Sequence, residues 1–220
     1  MNNSAKSSKK LGKTSWIYSK PKVAYATLLL SAIVFAVLNG QWLVAQLRYR
    51  STPSVQATAS DIGTVSKFDP SAPAIINIPV INVNAPIILD EPSSQDANVQ
   101  LALRRGVLLY GNSTRPGKKG HTIIVGHSSG QLWSPGDYKW VFTLLEKLKP
   151  GDKIHVSYQG IAYTYTVKDS IIVSPSDAKV LAPTTESVLS LVTCTPVGTN
   201  QNRLVVRASL DTIPMPITDY

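Results

Sequence analysis

Proline, glycine and other turn-forming residues break the chain between Ala74 and Leu210 into many short apolar runs. Short runs with such boundaries are typical of strands, because helices need longer amphipathic segments. About eight strands without an internal repeat fit a closed β-barrel best. The sequence therefore predicts a mostly β domain, a closed eight-stranded barrel with a few short helices. The runs that we read as strands are INIPVINVNAPIIL, GVLLYG, HTIIVGH, DKIHVSY, IAYTYTVKD, SIIV, VLSLVTC and RLVVRASL.

Two further segments of this region read as short helices. DEPSSQDANVQLALRRG can be capped by Ser93 or Ser94 and ends at Gly106. VFTLLEKL suits a second helix, closed by the Pro-Gly pair that follows it. SPSDAKVLAPTTES reads as a long loop, and we expect the whole domain to cover residues 74–213.

An uncharged apolar segment of 25 residues, from Val23 to Leu47, precedes this domain. About 20 such residues span the hydrocarbon core of a bilayer. Six Lys precede the segment and two Arg follow it, so the positive-inside rule puts the N-terminus in the cytoplasm. A cleaved signal peptide is the alternative, but its apolar region would be shorter. We expect a cytoplasmic tail at 1–22, a transmembrane helix at 23–47 and a linker at 48–73.

The net charge of +9 is concentrated at the N-terminus. Eight of the 22 Lys and Arg residues, and none of the 13 acidic residues, precede Ser51. The rest of the chain is therefore close to neutral. Because a surface that tracks phosphates needs a local excess of basic residues, the predicted domain is not expected to bind nucleic acid.

The single cysteine, Cys194, ends the run VLSLVTC. Taken alone it fits an inert buried thiol, because free Cys is among the most buried residue types. An unpaired Cys on an extracellular domain can also be reactive. If VLSLVTC and RLVVRASL pair as a hairpin, Cys194 lies near Arg203, whereas Arg207 lies roughly 13 Å further along the strand. We expect Arg207 on a solvated strand face.

Three histidines could assist such a thiol, since His is the commonest general acid or base. His155 falls on the polar face of its strand, and His121 lies at the edge of a loop. His127 stands where a strand gives way to a loop rich in Gly and Ser, which combines rigid support with access to solvent. Position alone leaves a structural role for His127 equally open.

Metal and nucleotide sites are not indicated by the sequence. One Cys and three scattered His show no zinc spacing, and the acidic residues show no calcium loop. There is no phosphate-binding Gly motif. We therefore expect neither a metal nor another cofactor.

Several segments resemble those of the sortases, cysteine transpeptidases of Gram-positive cell surfaces. LVTC resembles the end of their T-L-x-T-C motif, and TPVGTNQNRLVVRA resembles the segment that leads to their catalytic Arg. TIIVGHSSG is similar to the segment that carries their catalytic His. INIPVINVNAPIIL and LKPGDKIHVSYQG resemble other strands of the family. The resemblance covers about Ile75 to Leu210 and favours a reactive Cys194.

The resemblance implies a role for each matching residue. Cys194 is the nucleophile, His127 the general acid and base, and Arg203 stabilises the thiolate and the oxyanion. We also expect four residues to contribute to binding of the substrate: Thr193, Ser128, Val180 and Leu181.

The resemblance also implies substrates and location. The enzyme would cleave an LPxTG-type sorting signal between Thr and Gly, through a thioester, and transfer the surface protein to an amine. The acceptor would be a lipid-linked cell-wall precursor or a pilin Lys. The catalytic domain would lie outside the cell, anchored by a single membrane pass.

Two departures from the family concern particular residues. Ser190 stands at the first position of T-L-x-T-C. Pilin-building members often carry an Asp-Pro-aromatic lid, but Ser71 follows Asp69 and Pro70 here, which weakens the pilin interpretation.

Two other classes of protein remain as alternatives. L,D-transpeptidases also combine an anchor, a β domain and a Cys after a His, but their S-x-G-C signature is absent, and papain-like peptidases place Cys before His. A non-enzymatic anchored β module would leave Cys194 inert.

Overall fold

The computed structural model describes residues 20–51, 68–89, 96–111, 113–130, 136–177, 182 and 184–211. The chain divides into two compact units, Met1–Gly40 and Gln41–Tyr220. The first unit holds most of the helix α1, Lys20–Ser51, and the second holds every other described element.

Helix α1 contains the predicted segment 23–47 and extends beyond it at both ends. Its side chains between Lys22 and Leu38 are exposed. Among the described residues, no helix meets the combined demands of length and hydropathy for crossing a membrane.

Eight strands close into a barrel in the order β1-β2-β3-β4-β7-β8-β6-β5. This arrangement confirms the predicted mostly β, eight-stranded barrel. The described helical elements of this unit are α2, Asp96–Leu103, and two short 3₁₀ helices, Pro79–Ile81 and Leu145–Lys147. The strands are β1 Ile75–Ile78, β2 Val83–Ile88, β3 Val107–Leu109, β4 Gly120–Val125, β5 Lys153–Tyr158, β6 Ile161–Val173, β7 Ser187–Thr195 and β8 Asn202–Leu210.

Alternate residues of the strands fill the barrel interior, as the two-residue period of a strand requires. In β7 and β8 the interior residues are Leu189, Leu191, Leu204, Val206 and Ala208, all in the largest apolar cluster. Val192 and Val205 point to the other face of these strands and belong to a separate cluster with Ile123. The strands β4, β7 and β8 therefore also carry an apolar outer face, the face to which Cys194 belongs by parity.

Two predicted elements differ from the structure. The segment VFTLLEKL forms turns and a 3₁₀ helix, because its backbone bonds span three residues, as from Leu145 N to Phe142 O (3.1 Å). The N–H group of its second residue is used elsewhere, since Phe142 N donates to His127 O (2.9 Å). SIIV is no separate strand either, because it continues β6 beyond an irregularity between Val167 and Asp169.

The order of three neighbouring strands determines where the candidate site forms. Strand β7 lies between β4, which runs parallel to it, and β8, which runs antiparallel. A residue at the end of β7 therefore has the end of β4 on one side and the start of β8 on the other.

Candidate active site

Cys194 and Arg203 are direct partners in the β7–β8 ladder. Both residues are half-buried, and Cys194 carries a free thiol. Partners in antiparallel strands have Cα atoms about 4.5–5.5 Å apart. The structure thus confirms the predicted hairpin and brings Arg203, rather than Arg207, beside the thiol.

The Arg203 guanidinium is held by backbone carbonyls. Its Nη1 donates to Asn200 O and to Asn202 O, both at 3.1 Å. A guanidinium has five N–H donors, so these two bonds use only part of its capacity. The loop between β7 and β8 thereby fixes the side chain while donors remain for a bound group.

His127 lies on the other side of Cys194. Val125, the last residue of β4, pairs with Val192, so two further residues along the parallel strands bring His127 level with Cys194. The contact continues past the end of β4, because Gly126 N donates to Val192 O (3.0 Å) and Thr193 Oγ1 donates to Gly126 O (2.7 Å).

Gly126 is required at its position by close packing. A Cβ atom there would lie 2.5 Å from Cδ2 of Phe142, whose ring is buried. The missing side chain lets the His127 segment lie against the Phe142 ring. Phe142 N in turn donates to His127 O (2.9 Å), so the backbone of the histidine is held by its immediate surroundings.

The residues after His127 are fixed on two sides. Thr143 Oγ1 donates to Ser128 O at 2.7 Å. Gly198 N, in the β7–β8 loop, donates to Ser129 Oγ at 3.1 Å. The segment that carries His127 is thus joined directly to the loop that orients Arg203.

Burial lowers the pKa of His127 below its usual range. Desolvation disfavours the charged imidazolium, and it is the cause of this shift. At neutral pH the ring is therefore neutral and can accept a proton at one nitrogen. This protonation state suits a group that begins a reaction as a base.

A cavity of about 330 Å³ contains all three residues on its wall. One part of the wall is apolar and comes from α2 and from the outer faces of β4 and β7. Another part comes from the segment that follows β6. The lining residues are Val99, Gln100, Leu103, Tyr110, Ile123, Val125, Gly126, His127, Ser174, Pro175, Asp177, Val192, Thr193, Cys194 and Arg203.

The four residues predicted to bind substrate fall into different settings. Thr193 lines the cavity, but it is only 4% exposed and its hydroxyl bonds to Gly126 O. Ser128 is 2% exposed, and its hydroxyl has no hydrogen-bond partner among the described residues. Val180 and Leu181 lie outside the described residues. A contact of these four residues with substrate stays a prediction.

The remaining candidates lie away from the cavity. Arg207 forms a two-bond ion pair with Asp169, both at 2.7 Å, on the outer face, as expected for a solvated position. His155 is half-buried rather than fully exposed, and it bonds to Thr164 Oγ1 at 3.1 Å. His121 is tied to the barrel through both ring nitrogens.

Some residues of the cavity were not found from the sequence. Val99 and Leu103 of α2 lie one helical turn apart, a spacing that indicates an apolar helix face but not what covers it. Within the described part of the chain, no group of three or more His, Cys, Asp or Glu residues could hold a metal ion.

Similarities to known proteins agree with this geometry. The chain is 29% identical over 137 residues to sortase A of Streptococcus agalactiae serotype III (strain NEM316), covering 62% of this chain. It spans 51% of that curated relative, about half its length.

Solved structures that share the fold include two sortases of other bacteria. The sortase D5 transpeptidase of Clostridium perfringens is 28% identical, with a TM-score of 0.52, over 64% of this chain and 79% of that one. Sortase C-1 of Actinomyces oris is 27% identical, with a TM-score of 0.53, over 78% and 85%. The family model of the sortase domain matches the sequence at residues 76–211, a range that includes every residue of the cavity wall. This chain therefore belongs to the sortase family.

Proposed function

We propose that this protein is a cysteine transpeptidase that cleaves an LPxTG-type sorting signal between Thr and Gly. The observation that carries the proposal is the position of Cys194 on β7, between β8 and β4. Arg203 of β8 is its register partner, and His127, which follows β4, lies level with it on the opposite side of β7. All three line one cavity. Nucleophile, general base and cation are the groups that acyl transfer requires.

In the first half of the reaction, neutral His127 takes the proton of the Cys194 thiol, and the thiolate attacks the Thr carbonyl carbon. The carbonyl oxygen becomes an oxyanion, which Arg203 stabilises by donating hydrogen bonds. When the tetrahedral intermediate collapses, the imidazolium gives its proton to the departing Gly amine. The products are a Thr–Cys194 thioester and the freed C-terminal peptide.

In the second half, an acceptor amine attacks the thioester. His127 removes a proton from the amine, and Arg203 again faces the oxyanion. The Cys194 thiolate leaves and regains the proton from His127, so the enzyme returns to its starting state. Overall, the Thr–Gly peptide bond is replaced by an amide bond between Thr and the acceptor amine. The thioester conserves the energy of the broken bond, so no nucleotide is consumed.

The form of the cavity supports a peptide substrate of this kind. Its apolar wall, with Val99, Leu103 and Ile123, offers a surface for the Leu and Pro side chains of a sorting signal. The lining also includes the polar residues Ser174 and Asp177. The substrates are therefore proposed to be surface proteins with such a signal.

We propose a lipid-linked peptidoglycan precursor as the acceptor, with a pilin Lys as the alternative. The aromatic lid residue of pilin-building members is absent from the Asp69–Ser71 segment, which instead folds into a turn with Ser71 N donating to Asp69 Oδ1 (2.9 Å). Asp69 N is bonded to Gln159 O in the β5–β6 turn (3.0 Å). None of these residues lines the cavity.

We also propose that the protein is attached to the cell membrane with its barrel outside the cell. The exposed apolar side chains of α1 and the basic residues at its two ends support this location. Protease treatment of intact cells tests it, because only an outward-facing barrel is digested.

A soluble domain beginning near residue 68 tests the activity directly. Incubation with an LPxTG-type peptide should give an acyl adduct on Cys194 by mass spectrometry, and an added amine should give the transpeptidation product. Cys194→Ala should form neither product while it keeps the wild-type melting temperature. Cleavage by this variant would exclude Cys194 as the nucleophile, and a lack of any adduct in the wild type would favour a non-enzymatic β module.

A further inference from the structure

His121 bonds through its ring to two segments that are distant in sequence. Nδ1 lies 2.9 Å from the carbonyl oxygen of Ala182, in the connection between β6 and β7. Nε2 lies 2.8 Å from Ser190 Oγ, on β7. A single side chain of β4 therefore joins the neighbouring strand to the connection that leads into it.

The chemistry of the partners defines where the hydrogens lie. A carbonyl oxygen can only accept, so Nδ1 of His121 carries a hydrogen and donates it to Ala182 O. In the neutral ring, Nε2 then accepts the hydroxyl hydrogen of Ser190. Ser190 is 0% exposed, and a buried hydroxyl without a partner is costly. The Ser190 hydroxyl thus keeps the ring oriented toward Ala182.

The connection held by His121 also forms part of the cavity wall. Ser174, Pro175 and Asp177 follow β6 directly and line the cavity beside Cys194. At the far end, Gly120 N donates to Glu186 O (3.0 Å). The bond at Ala182 adds a fixed point between these ends. The wall residues themselves form a turn, in which Asp177 N donates to Ser174 O (3.1 Å), and Ala182 lies five residues beyond Asp177. A fixed point so near in the chain restricts the positions that this turn can take.

His121 is too distant to act on the thiol itself. Its ring reaches Ser190, and the four-residue separation between Ser190 and Cys194 spans about 13 Å at roughly 3.3 Å per residue. Any effect of His121 on the reaction must therefore pass through the residues that it holds in place.

We propose that His121 is a positioning residue for the peptide. By binding Ala182 O while its ring is held by Ser190 of β7, it sets the position of the wall formed by Ser174, Pro175 and Asp177, and hence the affinity of the cavity for its substrate. This inference rests on the proposed function, because it concerns the peptide that the same cavity would hold. Loss of His121 is therefore expected to change KM, whereas kcat depends on Cys194, His127 and Arg203.

Three substitutions at this position separate the two hydrogen bonds. His121→Asn can place an amide nitrogen near the position of Nδ1 and keep the bond to Ala182 O. His121→Gln reaches the position of Nε2 and keeps only the bond to Ser190, whereas His121→Ala loses both. We expect KM to rise roughly tenfold in the Gln and Ala variants, as for the loss of one hydrogen bond. In the Asn variant it should stay within about twofold of the wild type, and kcat should change little in all three.

Hydrogen exchange and thiol alkylation provide readouts that do not depend on turnover. Backbone amides of residues 174–177 should exchange faster in the Ala and Gln variants than in the Asn variant. The rate at which iodoacetamide modifies Cys194 should be the same in all. An equal rise of KM in the Asn and Ala variants, or a fall of kcat at constant KM, overturns the inference. If the wild type turns over no sorting peptide, the proposed function fails, and unchanged exchange at 174–177 would separately exclude the positioning role.

Discussion

Cys194 and Arg203 stand opposite each other as partners in the β7–β8 ladder. The cation is therefore placed beside the thiol by backbone pairing, and the carbonyls of Asn200 and Asn202 limit where its side chain can go. Arg207 shares the same strand face but pairs with Ser190, and its guanidinium is bound to Asp169. The two arginines thus form a matched pair for experiment, one beside the thiol and one distant from it.

Replacing Arg203 should damage catalysis much more than replacing Arg207. Arg203→Ala removes the proposed oxyanion donor, and the loss of one such donor typically costs about 3 kcal/mol, or roughly a hundredfold in kcat/KM. Arg203→Lys should also fail, because a point charge does not replace the planar set of donors. Arg207→Ala breaks an exposed ion pair and should cost under about 1 kcal/mol of stability. Steady-state kinetics with a sorting peptide measure kcat/KM for the three variants. A greater loss of kcat/KM in Arg207→Ala than in Arg203→Ala would contradict the assigned roles.

His127→Ala should lose most activity while the fold is retained. A positioned general acid and base contributes about 10²–10⁴-fold, and we expect kcat/KM to fall within that range. His155→Ala is the matched control, because His155 is half-buried like His127 but lies in β5 and bonds to Thr164, away from the cavity. Circular dichroism should show the same spectrum for both variants. Similar losses of activity in both would point to a general effect on the barrel.

The pH dependence of activity should reflect the lowered pKa of His127. Since burial lowers this pKa, the ring is still mostly neutral at pH 6.5, the usual pKa of His, and gains its proton only at lower pH. The acidic limb of kcat/KM should therefore lie below about pH 6.5. The measurement is a pH profile of the soluble domain with a sorting peptide, and an acidic limb above this value would contradict the assignment.

The same shift predicts how stability changes with pH. In the unfolded chain His127 binds a proton near its usual pKa, whereas in the folded protein it binds one only at lower pH. The unfolded state therefore holds more protons as pH falls below about 6.5, and stability is lost through that window. His155, whose pKa is also lowered chiefly by burial, adds to the loss. His127→Ala should show a smaller fall in melting temperature than the wild type between about pH 7.5 and pH 5.5.

Gly126→Ala should destabilise the domain and reduce activity together. The added methyl group would lie 2.5 Å from the Phe142 ring, and overpacking of this kind costs about 1–3 kcal/mol. The backbone shift that relieves the clash would move His127, which follows directly. Phe142→Leu provides the control, because the smaller side chain makes room for the methyl group. A double-mutant cycle by urea unfolding should show losses that are less than additive, and strict additivity would contradict the packing argument.

The parts of the site that depend on local sequence could be predicted. Strand parity and a short loop were enough to pair Cys194 with Arg203, because a hairpin brings neighbouring segments together. The position of α2 over the cavity could not be predicted, since nothing in Val99 or Leu103 specifies the surface against which they pack. The same is true of the bond from His121 to Ala182, which joins residues far apart in sequence.

The misread segment VFTLLEKL illustrates a different limit. Its apolar spacing is compatible with an α-helix, and local propensity gives no reason to reject one. The backbone of Phe142 and the hydroxyl of Thr143 are instead bound by the carbonyls of His127 and Ser128. These tertiary bonds hold the start of the segment in another conformation, and only knowledge of the neighbouring loop could have indicated this.

The place of β8 in the barrel has a consequence for when the thiol becomes competent. In chain order β8 is the last of the eight strands, yet it lies between β7 and β6. A chain that ended before Asn202 would carry Cys194 but neither Arg203 nor the strand that closes the barrel between β7 and β6. The proposed nucleophile therefore gains its cation only from the segment made last among the eight strands, and C-terminal truncation is expected to remove the cation and open the barrel together.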